Sequence, residues 1–91
     1  MDFLPGGSVV SLKSSPQLMM IFGFYQQVPE QAHWFDYIAC PYPEGYLNSD
    51  SLMLFDHGQI DKLHFIGFID DECLEFSKKI TTEIGDRQND E

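Results

Sequence analysis

Basic residues are scarce in this chain. Five lysines and arginines stand against fifteen aspartates and glutamates, which leaves a formal net charge of −10. Binding to nucleic acid or to an anionic membrane surface draws its affinity from Lys and Arg on phosphates, so this balance argues against DNA, RNA and membrane as partners. The same charge attracts a basic partner, chiefly by speeding the encounter, and it also keeps a small domain soluble. Cysteine is nearly absent as well, with Cys40 and Cys73 the only two. Small secreted domains usually carry denser disulfide frameworks. The opening Met1-Asp2-Phe3-Leu4-Pro5-Gly6-Gly7 has neither the basic start nor the long apolar stretch of a secretory signal. These features together predict a reducing, cytoplasmic location. Long apolar runs are missing too: none approaches the roughly 20 residues that a membrane-spanning helix needs.

What is present is enough for one core. Ninety-one residues make a single domain, since two halves would each be too small to bury a useful interior. A chain of this size hides only roughly 60–65% of its unfolded surface, so it folds alone with little margin. Its 43% hydrophobic and 14% aromatic content argues against disorder, which combines low hydrophobicity with high charge.

Turn signals divide the chain into short strands. Leu4-Pro5-Gly6-Gly7 is a turn, and the β-branched stretch Ser8 to Lys13 follows it as a first strand. Ser14-Ser15-Pro16 marks a second turn. The apolar run inside Gln17 to Gln27 reads as a central strand in which Gly23 allows a bend or bulge. Val28 to His33 is a polar loop, and Trp34 to Cys40 is a third strand stopped by Pro41 and Pro43. Glu44 to Asp50 reads as an exposed loop, Leu52 to Phe55 as a short fourth strand, and Gln59-Ile60 as a single helical turn. In the fifth strand, Lys62 to Phe68, alternation puts Leu63, Phe65 and Gly67 on one face and His64, Ile66 and Phe68 on the other.

The last segment changes period. Asp70 or Asp71 suits a helix cap, and Glu72 sits near the positive end of the helix dipole. Cys73, Phe76, Ile80 and Ile84 recur at spacings of three and four and so share a face, with Gly85 placed to end the helix. The reading is a mostly β member of the α+β class. It has a small five-stranded antiparallel, strongly bent sheet, or a partly open SH3-like barrel, with one C-terminal helix over residues 1–85 and a polar, frayed tail over 86–91.

No motif for chemistry emerges. Structural zinc sites show close ligand pairs such as C-x-x-C, whereas His33, His57, His64, Cys40 and Cys73 are scattered over loop, strand and helix. Cys40 with His57 can be paired on paper as nucleophile and base, but Cys40 ends an apolar strand before a proline, which suits a small packed residue. Asp70-Asp71-Glu72 lacks the twelve-residue calcium-loop pattern and is explained by an acidic helix start. The expectation is no enzyme, no cofactor and no metal. Aromatic side chains on a stiff loop are typical binding anchors. Trp34 and Phe35 belong with the core in so small a chain, which leaves Tyr42, Pro43, Glu44 and Tyr46 as the expected partner-binding residues.

Four stretches, taken in order, carry a resemblance: Leu4 to Lys13, Phe35 to Gly45, Phe55 to Ile60 and Gly67 to Glu72. The ordered set of Tyr42-Pro43-Glu44-Gly45, then Phe55-x-His57, then Gly67-aromatic-x-Asp70 resembles a family of short uncharacterised domains of Gram-positive bacteria. Its members are commonly encoded beside LXG polymorphic toxins and type VII secretion genes. Departures from its pattern are small: Gly6 for an aliphatic residue, Ala39 for glycine and Asp56 for asparagine. The resemblance implies a cytoplasmic accessory protein that chaperones or targets a secreted toxin, and it transfers no catalytic residue. An immunity protein that blocks a cognate toxin is the alternative.

Overall fold

A computed structural model describes residues 3–89, with side chains through Thr82. Among these residues the chain forms β1 (Val9–Leu12), β2 (Ser15–Gln27), β3 (Trp34–Pro41), β4 (Met53–Phe55), β5 (Ile60–Phe65) and one α-helix, α1 (Asp71–Asn89). Two 3₁₀ turns, Ser49–Ser51 and His57–Gln59, lie between β3 and β5. All strand pairings are antiparallel, and the order across the sheet is β4-β3-β2-β1-β5.

Strand β2 is the spine. Its first half pairs with β1, from Leu12 opposite Ser15 to Val9 opposite Met20, and its second half runs past β1 to pair with β3 as far as Gln27 opposite Trp34. The expected irregularity at Gly23 is present: Ile21 faces Ala39 while Gly23 faces Ile38, so Phe22 is the extra residue of a bulge. A Cβ at position 23 would lie 2.5 Å from Ile38 Cγ2, which accounts for glycine there. The bulge restores the alternation that places both Ile21 and Phe24 toward the core.

The sheet is bent but open. Strands β4 and β5 are its two edges, yet only Asp56 and the 3₁₀ turn separate them in sequence. Five Cα steps from Phe55 to Ile60 reach at most about 18 Å. Crossing a flat five-stranded sheet takes four inter-strand spacings, about 19 Å. The sheet must therefore curl to bring its edges toward each other. Of the bent sheet and the partly open SH3-like barrel expected from sequence, it is the sheet, not closed into a barrel: among the described residues β4 pairs only with β3 and β5 only with β1.

One face of the curl holds the core. Alternation puts Val10 and Leu12, Met19 and Ile21, and Tyr37 and Ala39 on the same side, where they pack with Phe3, Phe55 and Ile80. Ile80 and Phe76 bring α1 onto the sheet, the Phe76 ring lying 5.6 Å from Phe24 in an edge-to-face contact, as the spacing of three and four predicts. The Ile84 side chain lies outside the described residues. Helix α1 continues through Gly85 to Asn89. A glycine in a helix interior costs about 1 kcal/mol relative to alanine, too little to stop a helix when no proline follows.

The expected fifth strand is shifted. It begins at Ile60 and ends at Phe65 rather than Phe68, and Asp61 to Ile66 are all exposed. The reason lies at Gly67, which is buried with its Cα against the turn before β1; a Cβ there would come within 2.1 Å of the Gly6 carbonyl oxygen. Gly67 N–H donates to Ser8 Oγ at 3.0 Å, and Ser8 Oγ donates to the Pro5 carbonyl at 2.7 Å. Two glycine-bearing backbones meet where side chains would have extended the strand. Gly7 itself has φ +88°, a conformation that glycine adopts without steric penalty.

Candidate functional site

The loop after β3 is exposed at its side chains and tied down at its backbone. Tyr42 N–H donates to the Leu18 carbonyl at 2.9 Å, Gln17 Nε2 donates to the Tyr42 carbonyl at 3.1 Å, and Gly45 N–H donates to the Pro41 carbonyl at 2.7 Å. The Tyr42–Pro43 peptide is cis and Gly45 has φ +78°. Downstream, Asn48 caps the first 3₁₀ turn, its Oδ1 accepting from Ser51 N–H at 3.0 Å. On this frame Tyr42, Pro43, Glu44 and Tyr46 all face solvent, with Tyr46 65% and Leu47 59% exposed. Trp34 and Phe35 are half-buried: Trp34 stacks on Tyr25 at 4.9 Å, and Phe35 meets the His33 ring edge-on at 4.7 Å.

A second cluster is polar and gathers around one buried side chain. The fully buried Tyr37 accepts a hydrogen bond from Leu4 N–H at 3.0 Å and shares one of 2.8 Å with His57 Nδ1. Burial pushes its phenol up to about 12; the Asp36 charge acts in the same direction and the Leu4 N–H opposes it. Asp36 Oδ2 accepts from His57 N–H at 2.9 Å. Asp56 accepts from Asp36 N–H at 3.2 Å through one oxygen and contacts His33 Nε2 at 2.7 Å through the other. These bonds staple the N-terminal segment, β3 and the second 3₁₀ turn together.

The cluster does not assemble the pair drawn on paper from Cys40 and His57. Cys40 and Tyr37 stand three residues apart on β3 and so point to opposite faces, and His57 is bonded to Tyr37. The buried Cys40 thiol instead lies 3.8 Å from the Met20 carbonyl. His64 Nε2 lies 3.1 Å from Ser11 Oγ, on the other side of the sheet order from His33. Among the described residues no three His, Cys, Asp or Glu side chains converge as metal ligands would.

Most residues of the ordered sequence set have structural work. Phe55 fills the core, His57 holds Tyr37, Gly67 meets the Gly6 backbone, and Asp70 Oδ1 caps α1 by accepting from Cys73 N–H at 2.9 Å. Tyr42, Pro43, Glu44 and Phe68 are the exceptions, all with exposed side chains, Phe68 at 79%. Sequence reasoning assigned Phe68 to a strand face and so missed the density of exposed apolar side chains at Leu63, Phe65, Ile66, Phe68, Ile69 and Leu74. Its signal was the run of apolar pairs leading straight into Asp70-Asp71-Glu72. A shallow groove of about 550 Å³ also opens between α1 and β2, lined by Phe22, Phe24, Tyr25, Trp34, Phe76 and Ile80.

No helix among the described residues is long and apolar enough to cross a membrane. The chain has no match among the curated proteins or among the solved structures. The family model described as "Domain of unknown function (DUF4176)" matches residues 3–76, which takes in the whole sheet, the N-terminal turn that Gly67 leans on and the start of α1. The chain belongs to that family of small uncharacterised domains.

Proposed function

We propose that this protein is a non-catalytic, cytoplasmic binding module that chaperones or targets an LXG-type toxin exported by type VII secretion. The observation that carries the reading is the loop from Tyr42 to Leu47, where aromatic and apolar side chains stand exposed on a backbone held by hydrogen bonds to β2 and β3. Such a loop loses little conformational freedom when a partner covers it, which is the condition for an efficient anchor. Two thiols without a disulfide suit a reducing compartment. The net charge of −10 disfavours nucleic acid and favours a basic protein surface.

Co-expression with the neighbouring toxin gene, followed by capture, tests the reading: the toxin's secretion-directing segment is expected in the complex. Recovery of no toxin-related protein overturns it. Tyr42→Ala and Tyr46→Ala are each expected to weaken capture while leaving the circular dichroism spectrum and melting temperature unchanged, because neither side chain belongs to the core. The acidic charge also favours a second reading, an immunity protein seated on a basic toxic domain. Protection of growth against that domain alone, with no binding to the secretion-directing segment, decides for the second.

A further inference from the structure

We propose that an extended segment of a partner protein, apolar and rich in Lys or Arg, adds to the sheet alongside β5. Strand β5 pairs with β1 on one side and, among the described residues, has no strand on the other. A free edge of this kind offers backbone donors and acceptors to an incoming strand. The other edge offers far less, since β4 is three residues long and buries Phe55. Side chains on and just beyond β5 add apolar contact: Leu63, Phe65, Ile66, Phe68 and Ile69 are all exposed. Large apolar side chains are exposed at five of the seven positions from Leu63 to Ile69, denser than the single exposed residues ordinary on a surface.

Charge selects the occupant. From Leu63 to Phe76 the chain carries Asp70, Asp71, Glu72 and Glu75 and no Lys or Arg. These carboxylates follow the apolar run directly in sequence, and together with the net charge of −10 they favour a cationic segment over an anionic one. A second copy of the chain is the wrong occupant. It brings the same carboxylates and a net charge of −10, so two copies repel where a cationic segment is attracted. This surface is separate from the Tyr42 to Leu47 loop, although the proposal rests on the same view of the protein as a binding module.

The test uses the full chain and three short probes: an alternating Val–Lys peptide, a Val–Glu peptide of equal length, and the Val–Lys peptide N-methylated at every second residue. The Val–Lys peptide is expected to slow amide exchange across Ile60–Phe65. It should bind at least about tenfold more tightly than the Val–Glu peptide, and N-methylation should cost about tenfold because it deletes inter-strand hydrogen bonds. A chain carrying Phe65→Ser and Phe68→Ser, both at exposed positions, should also lose about tenfold. The proposal is overturned by failure of the Val–Lys peptide to bind, by equal binding of the two unmethylated peptides, or by undiminished binding of the methylated one. It is equally overturned by protection on α1 or β4 instead of β5, or by a homodimer in sedimentation that Phe65→Ser and Phe68→Ser abolish. Tyr42→Ala and Tyr46→Ala should leave peptide binding intact. Failure of the native chain to capture toxin, with peptide addition retained, therefore sinks the loop reading alone, and capture of toxin without peptide addition sinks this one.

Discussion

The two edges of the sheet are neighbours in sequence and opposites in construction. Strand β4 is short and anchored: Phe55 is fully buried, and the residues just after it, Asp56 and His57, are bonded to Asp36 and Tyr37 of β3. Strand β5 is twice as long and has no fully buried residue; apart from Ile60 at its start and the His64–Ser11 bond, it is held by backbone pairing to β1 and by the packing of Gly67 just beyond its end. A strand can thus be secured by what its side chains bury or by where its backbone is pinned. Only the second way leaves a face for something else.

Substitutions can break that contrast or sharpen it. The largest effect is expected at Phe55→Ala, about 3–5 kcal/mol of lost stability in denaturant unfolding, a large share of what so small a domain possesses. Gly67→Ala comes next, at about 1–3 kcal/mol or somewhat more, since the added methyl meets the Gly6 backbone and not a flexible side chain. A neutral Gly67→Ala would show that β5 is secured elsewhere and would erase the distinction. Tyr37→Phe is expected to cost about 1–3 kcal/mol by leaving the Leu4 N–H and His57 without their shared partner.

The same tyrosine predicts an alkaline limit. Its phenol is raised from 10.0 to about 12 in the folded chain, so above pH 10 the unfolded state sheds a proton that the folded state keeps. The associated stability is complete below pH 10 and is lost as pH rises through about 12. Urea unfolding at pH 9 and pH 11.5 should show this fall in the native chain and a smaller one in Tyr37→Phe. Last in size are Phe65→Ala and Phe68→Ala, each expected to move stability by no more than about 0.5 kcal/mol despite removing a large ring. A cost near that of Phe55→Ala would mean that the β5 surface is already packed.

Much of this was legible in the order of residues. Strands β2 and β3 are apolar runs closed by turn residues, and the bulge at Gly23 is announced by a glycine inside such a run. Tyr42 and Tyr46 read as exposed because Pro41, Pro43 and Gly45 interrupt any periodic apolar face. What stayed hidden depends on contacts between distant residues. The alternation of Lys62 to Phe68 gives no hint that position 67 meets Gly6, and that meeting ends the strand. The Tyr37 cluster joins positions 4, 36, 37, 56 and 57, none of which looks paired along the chain. Openness of the sheet is likewise a matter of whether two edges touch, which local pattern does not encode.

The contact between the first turn and the connector before α1 has a consequence for how the molecule assembles. Ser8 and Gly67, joined by a hydrogen bond, are separated by 59 positions, so this bond forms only after the long intervening chain has been gathered. Once gathered, that closure ties the first turn, already bonded to Ile21, to the segment that leads into the helix. The two ends of the domain are therefore coupled through a contact that spans most of the chain.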